Sequence, residues 1–553
     1  MPARTLLRAR ALASFVTGRG PTISTRRGMA KPARELAVHE PEPVARFRVA
    51  AIDVGSNGIR LLVAEFGQGA GYEVLAQERL PVRLGHEVFL SGRLAADTMD
   101  RAVRGLAEFR RQIDTLGGRR YRAVATSAVR ESDNADAFVE RVRDEAEIDL
   151  EVITGAEESR LVYLAARHRV PLGRRRWILV DLGGGSVEVM LVDGTGILWS
   201  ESHTMGAVRL LEELRLAGDA PDRVQRLVSE YATTLRVDDV ARRWKAGGFI
   251  ATGGNAEALA RLAGAEPDAR GVSRLSLQTL RALRQKLGTM SFAERMQQFK
   301  LREDRADVIV PGAFIYERLC TAAGADVVVV PNVGVKDGIV LDLAADIVAP
   351  RQHVDQQDRE TLAAALTLGR RYLFEETHAA HVGRLAVSLF DQLRELHGLG
   401  DRERRMLLTA ALLHDIGLFV SHKRHHKHAA YLIQNSEVGD FTAAEMAIVG
   451  NIARYHRKGA PSDGHEDFQR LPHADRARVA ALSALLRLAD ALDREHRQQV
   501  RAVRAEVHGD ELRLVAEASG DLLLERWALE RKADLFHDLY GLRVSLVVNG
   551  AAD

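Results

Sequence analysis

Residues 181–190 read DLGGGSVEVM and directly follow the apolar run WILV at positions 177–180. Three consecutive glycines therefore lie between an aspartate and a glutamate at the end of an apolar segment. A second stretch, AIDVGSNGIRLLV at 51–63, repeats the order of apolar run, Asp, glycine-containing turn and apolar run. Glycine allows the backbone to approach an anion closely, and consecutive N–H groups in such turns form anion-binding concavities. Each stretch predicts a strand–turn–strand hairpin whose bend can hold an oxyanion.

The two glycine turns have an alternative interpretation as ordinary tight hairpins, which a single such turn would favour. Because the chain contains two such turns, each with an Asp at its bend, we favour the anion-binding interpretation over that of ordinary hairpins. Mg²⁺ prefers carboxylate, water and phosphate oxygens in octahedral array. Two such loops that face each other across a cleft would clamp a polyphosphate from both sides.

The predicted elements indicate an α/β protein with an internal duplication. Two successive α/β units, residues 46–172 and 173–347, each open on a glycine-turn hairpin. Residues 348–500 have almost wholly helical periodicity. Residues 501–553 then return to a small α/β segment that reads strand, strand, helix, strand.

Length and composition describe an ordinary globular protein. A chain of 553 residues is too long for one core and predicts three or four domains. Hydrophobic residues make up 46%, charged residues 28%, and the net charge is +2, so we expect neither a nucleic-acid nor a membrane partner. The single cysteine, Cys320, excludes an intramolecular disulfide and fits a reducing, cytoplasmic location.

Residues 1–45 differ from the rest because they are rich in arginine and contain no acid before Glu35. We expect a basic, disordered tail, with Met29 as the true start. A targeting sequence is the alternative interpretation.

Six motifs in this order resemble the exopolyphosphatase/guanosine pentaphosphate phosphohydrolase (Ppx/GppA) family: DVGSNGIRLLV, ATSAVRESDNADAF, ITGAEESRLVYLA, DLGGGSVEVML, ATGGNAEALARL and LREDRADVIVPGA. The resemblance covers residues from about 48 to 345. It implies two actin-like, ribonuclease H-like domains. It also implies Mg²⁺-dependent hydrolysis of the terminal phosphate of inorganic polyphosphate, or of the 5′-terminal phosphate of guanosine pentaphosphate (pppGpp), by water.

The resemblance also assigns site residues. Glu158 matches the catalytic base that would deprotonate the attacking water, Asp181 and Glu188 match the acids that hold Mg²⁺, and Arg130 matches an arginine that pairs with a phosphate oxygen. The matching phosphate loops are Asp53, Gly55, Ser56 and Asn57, and Gly183, Gly184, Gly185 and Ser186, with Gly253, Gly254 and Asn255 as a further candidate loop.

Each assignment has a structural alternative. Glu158 falls in the first turn of a predicted helix, where the helix dipole favours acids in any case. Arg130 is interpretable as a surface arginine, and Glu188, in an alternating strand, as a water-facing residue. Asn255 would serve equally as a helix cap. The chain departs from the family pattern at Gly58, where a second serine is common.

The helical region contains a second pattern, H…HD…D, in EETHAAHVGRLAVSLFDQL, LLTAALLHDIG and LLRLADALDREH. This order resembles the HD superfamily of metal-dependent phosphohydrolases and implies an HD-type domain. The implied ligands are His378, His414, Asp415 and Asp490, with His381 competing with His378, and His425, His426 and His456 as candidates for a second metal. Imidazoles with carboxylates suit Mn²⁺ or Fe²⁺ better than Mg²⁺.

The helical region is open to another interpretation, as a scaffold that lengthens a basic channel. The segment HKRHHKH at 422–428 would then steer a polyanion, an effect that salt weakens.

From the family resemblance we predict an exopolyphosphatase, expected as a homodimer, with pppGpp hydrolysis at the same site as the alternative. A polyphosphate- or alarmone-binding regulator without turnover and a sugar kinase-like transferase are rival functions.

Overall fold

The described chain divides into two units between Asp355 and Gln356. The computed structural model describes residues 46–67, 71–118, 120–217, 226, 230–457 and 459–548. The predicted basic tail, residues 1–45, lies outside the described residues. No helix within these ranges is both long enough and apolar enough to cross a membrane.

The first half of the N-terminal unit is built on a five-stranded sheet of order β3-β2-β1-β4-β5. Its strands are β1 Phe47–Gly55, β2 Gly58–Phe66, β3 Tyr72–Leu80, β4 Arg120–Ala125 and β5 Leu150–Val152. Its helices are α1 Leu84–Ser91, α2 Ala96–Thr115, α3 Ser127–Arg130, α4 Ala135–Ala146 and α5 Gly155–Arg169. The short helix α1 was not predicted from the sequence.

The second half contains a six-stranded sheet of order β10-β11-β9-β6-β7-β8. Its strands are β6 Trp177–Leu182, β7 Val187–Asp193, β8 Gly196–His203, β9 Gly248–Thr252, β10 Ser273–Ser276 and β11 Val327–Val330. Its helices are α6 Ala207–Ala217, α7 Val237–Trp244, α8 Gly254–Leu262, α9 Leu277–Gly288, α10 Phe292–Phe299, α11 Glu303–Ala306, α12 Ile309–Ala322 and α13 Val335–Val348.

The two sheets confirm the predicted duplication. In each sheet, three consecutive antiparallel strands are followed by a parallel strand beside the first of them, which gives β3-β2-β1-β4 and β8-β7-β6-β9. Both glycine turns consequently occupy the same place in their sheets, at the bend between the first two strands. Equivalent bends at the ends of two similar sheets can face one another.

Strand β1 is buried on both faces, which explains its continuous apolar sequence. Ala50, Ile52 and Val54 pack into the core on one side of the sheet. Val49 and Ala51 pack into a second core that also holds residues of β6, β7, α5 and α13. This second core joins the two halves of the N-terminal unit and fixes their central strands.

The C-terminal unit is mainly helical and ends in a small sheet. It contains α14 Pro350–Arg371, which begins just before the division, then α15 Glu376–Gln392, α16 Arg394–His397, α17 Asp401–Leu413, a 3₁₀ turn Ile416–Phe419, α18 His425–Gln434, α19 Ala443–Arg454, α20 Glu466–Gln469 and α21 His473–Ala491. The sheet comprises β12 Val500–His508, β13 Glu511–Ala518 and β14 Arg543–Val548, with α22 Leu523–Lys532 and α23 Asp534–Tyr540 before β14.

Helices and sheet of this unit share one apolar core. Leu389 of α15, Leu486 of α21, Leu514 of β13 and Phe536 of α23 belong to the same buried cluster. Strands β13 and β14 pair in parallel, and the two helices between them form the crossover that parallel pairing requires. The predicted boundaries at 347/348 and 500/501 remain predictions.

Candidate functional site

The two glycine hairpins meet at their tips. A Cβ placed on Gly184 would lie 2.9 Å from Ser56 Cβ and 3.5 Å from the Asn57 backbone nitrogen, so the second tip approaches the first as closely as glycine permits. The Ser56 carbonyl accepts from Gly85 N at 2.8 Å, which ties the first tip to α1. The Gly184 carbonyl accepts from Val208 N at 2.8 Å, which ties the second tip to α6. Both loops are thus held by the start of a helix.

Three acids converge beside these tips. Asp181 at the end of β6 lies directly opposite Glu188 on β7, so their side chains share one face of the sheet. Glu158 lies in the first turn of α5, whose N-cap Thr154 accepts from Glu157 N at 3.2 Å. One carboxylate oxygen from each of the three acids lies within 4.8 Å of the others.

All three acids are buried, and each has some partner. Asp181 Oδ1 accepts from Thr252 Oγ1 at 2.7 Å, and Glu188 Oε1 accepts from Ser202 Oγ at 3.0 Å. Glu188 is 0% exposed, so its interpretation as a water-facing strand residue is wrong. The Oε2 atoms of Glu158 and Glu188 are buried without a hydrogen-bond partner among the described residues. Buried carboxylate oxygens in this state require a partner such as water or a cation.

The crowding of carboxylates changes their proton affinity. Burial raises the pKa of Glu158 well above its usual range; the charge of Glu188 adds to this, and Arg130 opposes it. Burial and the charge of Asp181 raise the pKa of Glu188. Burial raises the pKa of Asp181 to about 6, against the hydrogen bond from Thr252. A divalent cation between these oxygens would relieve the repulsion, and a donor set made only of oxygens fits Mg²⁺.

Glu157 and Glu158 have opposite surroundings although they are adjacent. Glu157 accepts from Arg122 Nη1 at 2.8 Å and from Arg160 Nε at 2.7 Å, and these two arginines neutralise it. Glu158 instead lines the cleft beside the hairpin tips. Of the two acids, Glu158 alone is among the residues that line this cleft.

Arg130 is positioned next to Glu158 and is not a free surface arginine. Its Nη1 donates to the Ile153 carbonyl at 2.7 Å and lies 3.5 Å from Glu158 Oε2. The alternative of a plain surface position is therefore wrong. The guanidinium can offer its other N–H groups to an anion beside the acid cluster.

The cleft at the hairpin tips has a volume of about 910 Å³. It is lined by most of the predicted loop residues, namely Asp53, Gly55, Ser56, Asn57, Gly183, Gly184, Ser186, Gly253, Gly254 and Asn255. Gly185 is not among the lining residues; a Cβ there would collide with Phe89 and Ser127. Asp53 is paired, since its Oδ2 accepts from Arg60 Nη1 at 2.7 Å.

The cations of this cleft were not predicted from the sequence. Eight basic side chains line it: Arg60, Arg79, Arg169, Arg261, Lys300, Arg302, Arg305 and Lys336. Arg60 follows the first glycine turn by two positions, and this proximity was the available signal. These basic side chains outnumber the six acidic ones of the same lining, Asp53, Glu78, Glu158, Asp181, Glu257 and Asp337, so the lining can receive a ligand with several negative charges.

The third glycine loop packs directly on the acid cluster. Gly253 has φ +92°, and a Cβ there would lie 2.7 Å from the Leu182 carbonyl oxygen and 3.3 Å from Asp181 Oδ1. Asn255 does not cap α8; it lies inside the first turn of the helix, and its Oδ1 accepts from Arg305. The capping alternative is therefore wrong.

The C-terminal unit brings together a group of imidazoles and carboxylates. His378 of α15, His414 at the end of α17 and Asp490 of α21 present ligand atoms within 4.8 Å of one another. Asp415, His425 and His456 form a second such group. His381 Nδ1 instead accepts from Arg384 at 2.6 Å, and His426 belongs to neither group.

The four clustered histidines share one orientation. Their Nδ1 atoms lie 2.8 Å from Asp493 Oδ2 (His378), 2.7 Å from the Ala411 carbonyl (His414), 3.1 Å from the His422 carbonyl (His425) and 2.6 Å from the Ala453 carbonyl (His456). In His378, His414 and His456 this acceptor places the proton at Nδ1 and leaves the Nε2 lone pair for a metal, whereas His425 Nδ1 also lies 3.4 Å from the donor Arg457 Nη1. The Nε2 atoms of His378 and His414 are buried without a hydrogen-bond partner among the described residues.

Comparison with known proteins identifies this fold and cleft as those of a phosphoanhydride hydrolase of the actin-like α/β class. Residues 62–346 match the Ppx/GppA phosphatase family, and residues 361–535 match the description Ppx/GppA phosphatase, domain III. The chain belongs to the Ppx/GppA phosphatase family.

Two solved structures illustrate the likeness. An exopolyphosphatase from Cytophaga hutchinsonii is 26% identical, with a TM-score of 0.51 over 54% of this chain and 97% of its own. The Ppx/GppA family member of Aquifex aeolicus is 26% identical, with a TM-score of 0.48 over 55% of this chain and 99% of its own.

Proposed function

We propose that the N-terminal unit is an exopolyphosphatase that hydrolyses the terminal phosphate of inorganic polyphosphate. The observation that carries the proposal is the buried cluster of Glu158, Asp181 and Glu188, of which Glu158 and Asp181 line a cleft that holds two glycine tips and more basic than acidic side chains. Phosphoryl transfer passes through a loose transition state, so positioning and charge neutralisation supply most of the catalysis. Acids at one end and cations along the walls provide both.

Asp181 and Glu188 would hold Mg²⁺, whose charge would neutralise the phosphate oxygens. The glycine tips would hold the terminal phosphoryl group through their backbone N–H groups. Glu158 would orient the attacking water and accept its proton as the water oxygen bonds to phosphorus. The bond from phosphorus to the bridging oxygen breaks, and the shortened chain leaves with that oxygen. Arg130 would pair with an oxygen of the transferred group and hold Glu158 in place.

The cationic lining supports a substrate that continues as a polyanion beyond the reacting phosphate. In pppGpp, the same terminal group is followed by a short phosphate run and a nucleoside, so the two substrates would compete for the same acids. The test compares phosphate release from long-chain polyphosphate and from pppGpp by wild type, Glu158→Gln and Asp415→Ala. We expect loss of release in Glu158→Gln and retention in Asp415→Ala. The reverse result would move the chemistry to the C-terminal unit.

We further propose that the C-terminal unit is an HD-type domain that binds a divalent transition metal through His378, His414, Asp415 and Asp490. The Nε2 atoms of His378 and His414 support this, because both are buried and neither has a hydrogen-bond partner among the residues that the structure describes; a metal would supply that partner. The bound metal would provide Lewis-acid chemistry toward a phosphate ester. Metal analysis of the purified protein tests the site: His414→Gln should lose Mn²⁺ or Fe²⁺ that wild type retains through dialysis. Equal metal content in both proteins would refute it.

A further inference from the structure

The first glycine tip, residues 55–58, has two carbonyl groups that are held in different ways. The Ser56 carbonyl accepts from a backbone N–H group, that of Gly85. The Asn57 carbonyl accepts instead from a side chain, because Arg79 of β3 donates its Nη2 to it at 2.6 Å. The peptide group is planar, so this bond fixes the orientation of the unit between Asn57 and Gly58. Part of the tip therefore depends on a guanidinium group, and Arg79 belongs to none of the six motifs.

Gly58 makes room for this guanidinium group. Its φ is +151°, and a Cβ placed on it would lie 2.9 Å from Arg79 Nη2 and 3.0 Å from Arg79 Nε. The guanidinium group thus packs directly against the glycine. A larger residue at position 58 would push the group away from the Asn57 carbonyl. Position 58 is also where the chain departs from the family pattern, so the glycine and the arginine fit together as a pair.

The second half of the N-terminal unit holds the same arginine. Arg79 Nη2 also donates to Asp304 Oδ2 on α11, and Asn57 Nδ2 donates to the Asp304 carbonyl at 3.1 Å. The side chains of Arg79 and Asp304 are only 14% and 10% exposed, so their pair is largely shielded from water. Asn57, Arg79 and Asp304 therefore form a closed ring of contacts. This ring fastens the first tip to α11 of the other half.

Several charged groups act on Arg79. Burial lowers its pKa and the charge of Asp304 opposes this. Its cationic neighbours, which repel it, are Arg60, Arg302 and Arg305. Arg60 is paired with Asp53, and Arg302 Nε lies 3.5 Å from Asp304 Oδ1. Asp304 consequently keeps the guanidinium group at the tip against the repulsion of these neighbours.

We infer that Arg79 is a positioning residue that fixes the first glycine tip, and that Gly58 is the residue that admits it. The inference rests on the function proposed above, in which the tips hold the terminal phosphoryl group. Arg79 acts on that group only through the Asn57 carbonyl. A tip displaced by about 1 Å would misplace the phosphoryl group relative to Glu158, and such a misplacement lowers the rate about 10²-fold. The substrate would still bind the other cations of the cleft, so the loss should appear in kcat more than in KM.

The experiment removes the guanidinium group and then returns it as a free ion. Arg79→Ala should lower kcat for phosphate release from polyphosphate about 10- to 100-fold, with KM within a few-fold of wild type. Millimolar guanidinium chloride should raise the kcat of Arg79→Ala several-fold and leave wild type unchanged, and NaCl at the same concentration should have no such effect. Guanidinium should not rescue the double variant Gly58→Ala/Arg79→Ala, because the added Cβ occupies part of the position. If Arg79→Ala does not fold, Arg79→Ser replaces it.

The matched control is Arg83→Ala. Arg83 Nη1 pairs with Asp307 Oδ2 at 3.2 Å and so also joins the two halves, but this bond does not involve the tip. Its kcat should stay within a few-fold of wild type. A wild-type kcat in Arg79→Ala, a loss that guanidinium does not reverse, or an equal loss in Arg83→Ala would each overturn the inference.

A second readout requires no turnover. Hydrogen exchange of the backbone amides at residues 55–58, measured without substrate, should be faster in Arg79→Ala, and guanidinium should return it to the wild-type rate. Unchanged exchange in Arg79→Ala would refute the positioning role of Arg79. Wild-type protein that releases no phosphate would instead refute the proposed function, so the two failures are distinguishable.

Discussion

Replacing Glu158 by Gln should make the protein more stable and nearly inactive. Glutamine keeps the shape of the side chain and removes a charge that the cluster repels. Burial, Glu188 and Asp181 all raise the pKa of Glu158, and Arg130 alone opposes them appreciably. The charged form is therefore the unfavourable one in the metal-free protein.

The two effects have magnitudes that can be measured. A positioned general base contributes about 10²- to 10⁴-fold to rate, so kcat should fall by that factor. One pKa unit corresponds to about 1.4 kcal/mol, so the free energy of unfolding in EDTA should rise by on the order of 1 kcal/mol or more. If activity were lost because the fold is damaged, the free energy of unfolding would fall instead of rising.

The neighbouring acid supplies a matched control. Glu157 is held by Arg122 and Arg160, and Glu157→Gln would leave these buried guanidinium groups short of an anion. Arg122 keeps Glu151 and Arg160 keeps Asp342 as partners, so the loss should be that of hydrogen bonds between charged groups, about 1.5–3 kcal/mol, and this variant should be destabilised. Its kcat per folded molecule should stay within a few-fold of wild type, because Glu157 does not face the cleft.

Phosphate release from polyphosphate and urea unfolding in EDTA measure these quantities on the same preparations. Activity of Glu158→Gln within tenfold of wild type would show that Glu158 is not the base. Destabilisation of Glu158→Gln would contradict the electrostatic description of the cluster. Equal losses of activity in both variants would mean that the orientation of the first turn of α5, and not the Glu158 carboxylate, matters.

Three further predictions test other parts of the site. Gly184→Ala should lower kcat/KM at least about tenfold, because the added Cβ has no room against the first hairpin. The control is Gly288→Ala, which should not change phosphate release because a Cβ there meets open space. Arg130→Gln should move the acid limb of the pH–rate profile to higher pH, since Arg130 lowers the pKa of Glu158, and Arg130→Lys should move it less. The pKa of Asp181 is raised to about 6 from its ordinary value of 3.8. Between about pH 4 and 6 the folded state therefore binds more protons than the unfolded chain. The free energy of unfolding of the metal-free protein should fall by ~3 kcal/mol as pH rises through that window. Urea unfolding in EDTA should show a smaller dependence on pH for Asp181→Asn than for wild type. For wild type, the dependence should also become smaller when Mg²⁺ replaces EDTA.

The hairpins were predictable because their signals are local. Apolar runs on either side of a glycine turn specify two strands and a bend without reference to the rest of the chain. The duplication then predicted that the bends are equivalent. That the tips lie within contact of each other, with Gly184 against Ser56, depends on the core shared by both halves, which no local pattern contains.

The cations were not predictable in the same way. The chain has 78 lysines and arginines, and nothing in the sequence separates Lys532 or Arg305 from the others. Their long side chains reach a buried carboxylate or an amide oxygen far away in sequence. Which group a long side chain contacts therefore depends on tertiary packing. His378 and His381 show that the sequence is ambiguous at short range as well. They lie three residues apart on one helix and both are buried, and only the packing around them places His378 in the cluster.

Metal and substrate binding should be coupled in the cleft. Glu158, Asp181 and Glu188 together would repel a phosphate that arrives without a cation, and a cation alone would leave the basic wall without an anion. Each ligand should therefore raise the affinity for the other, and by the same factor. The inactive Glu158→Gln variant allows the measurement because it leaves polyphosphate intact. The Kd for Mg²⁺, corrected for Mg²⁺ held by free polyphosphate, should fall at least about fivefold when polyphosphate is present, and Asp181→Asn should abolish that change. A Kd for Mg²⁺ that is indifferent to polyphosphate would mean that the acid cluster and the phosphate chain do not meet.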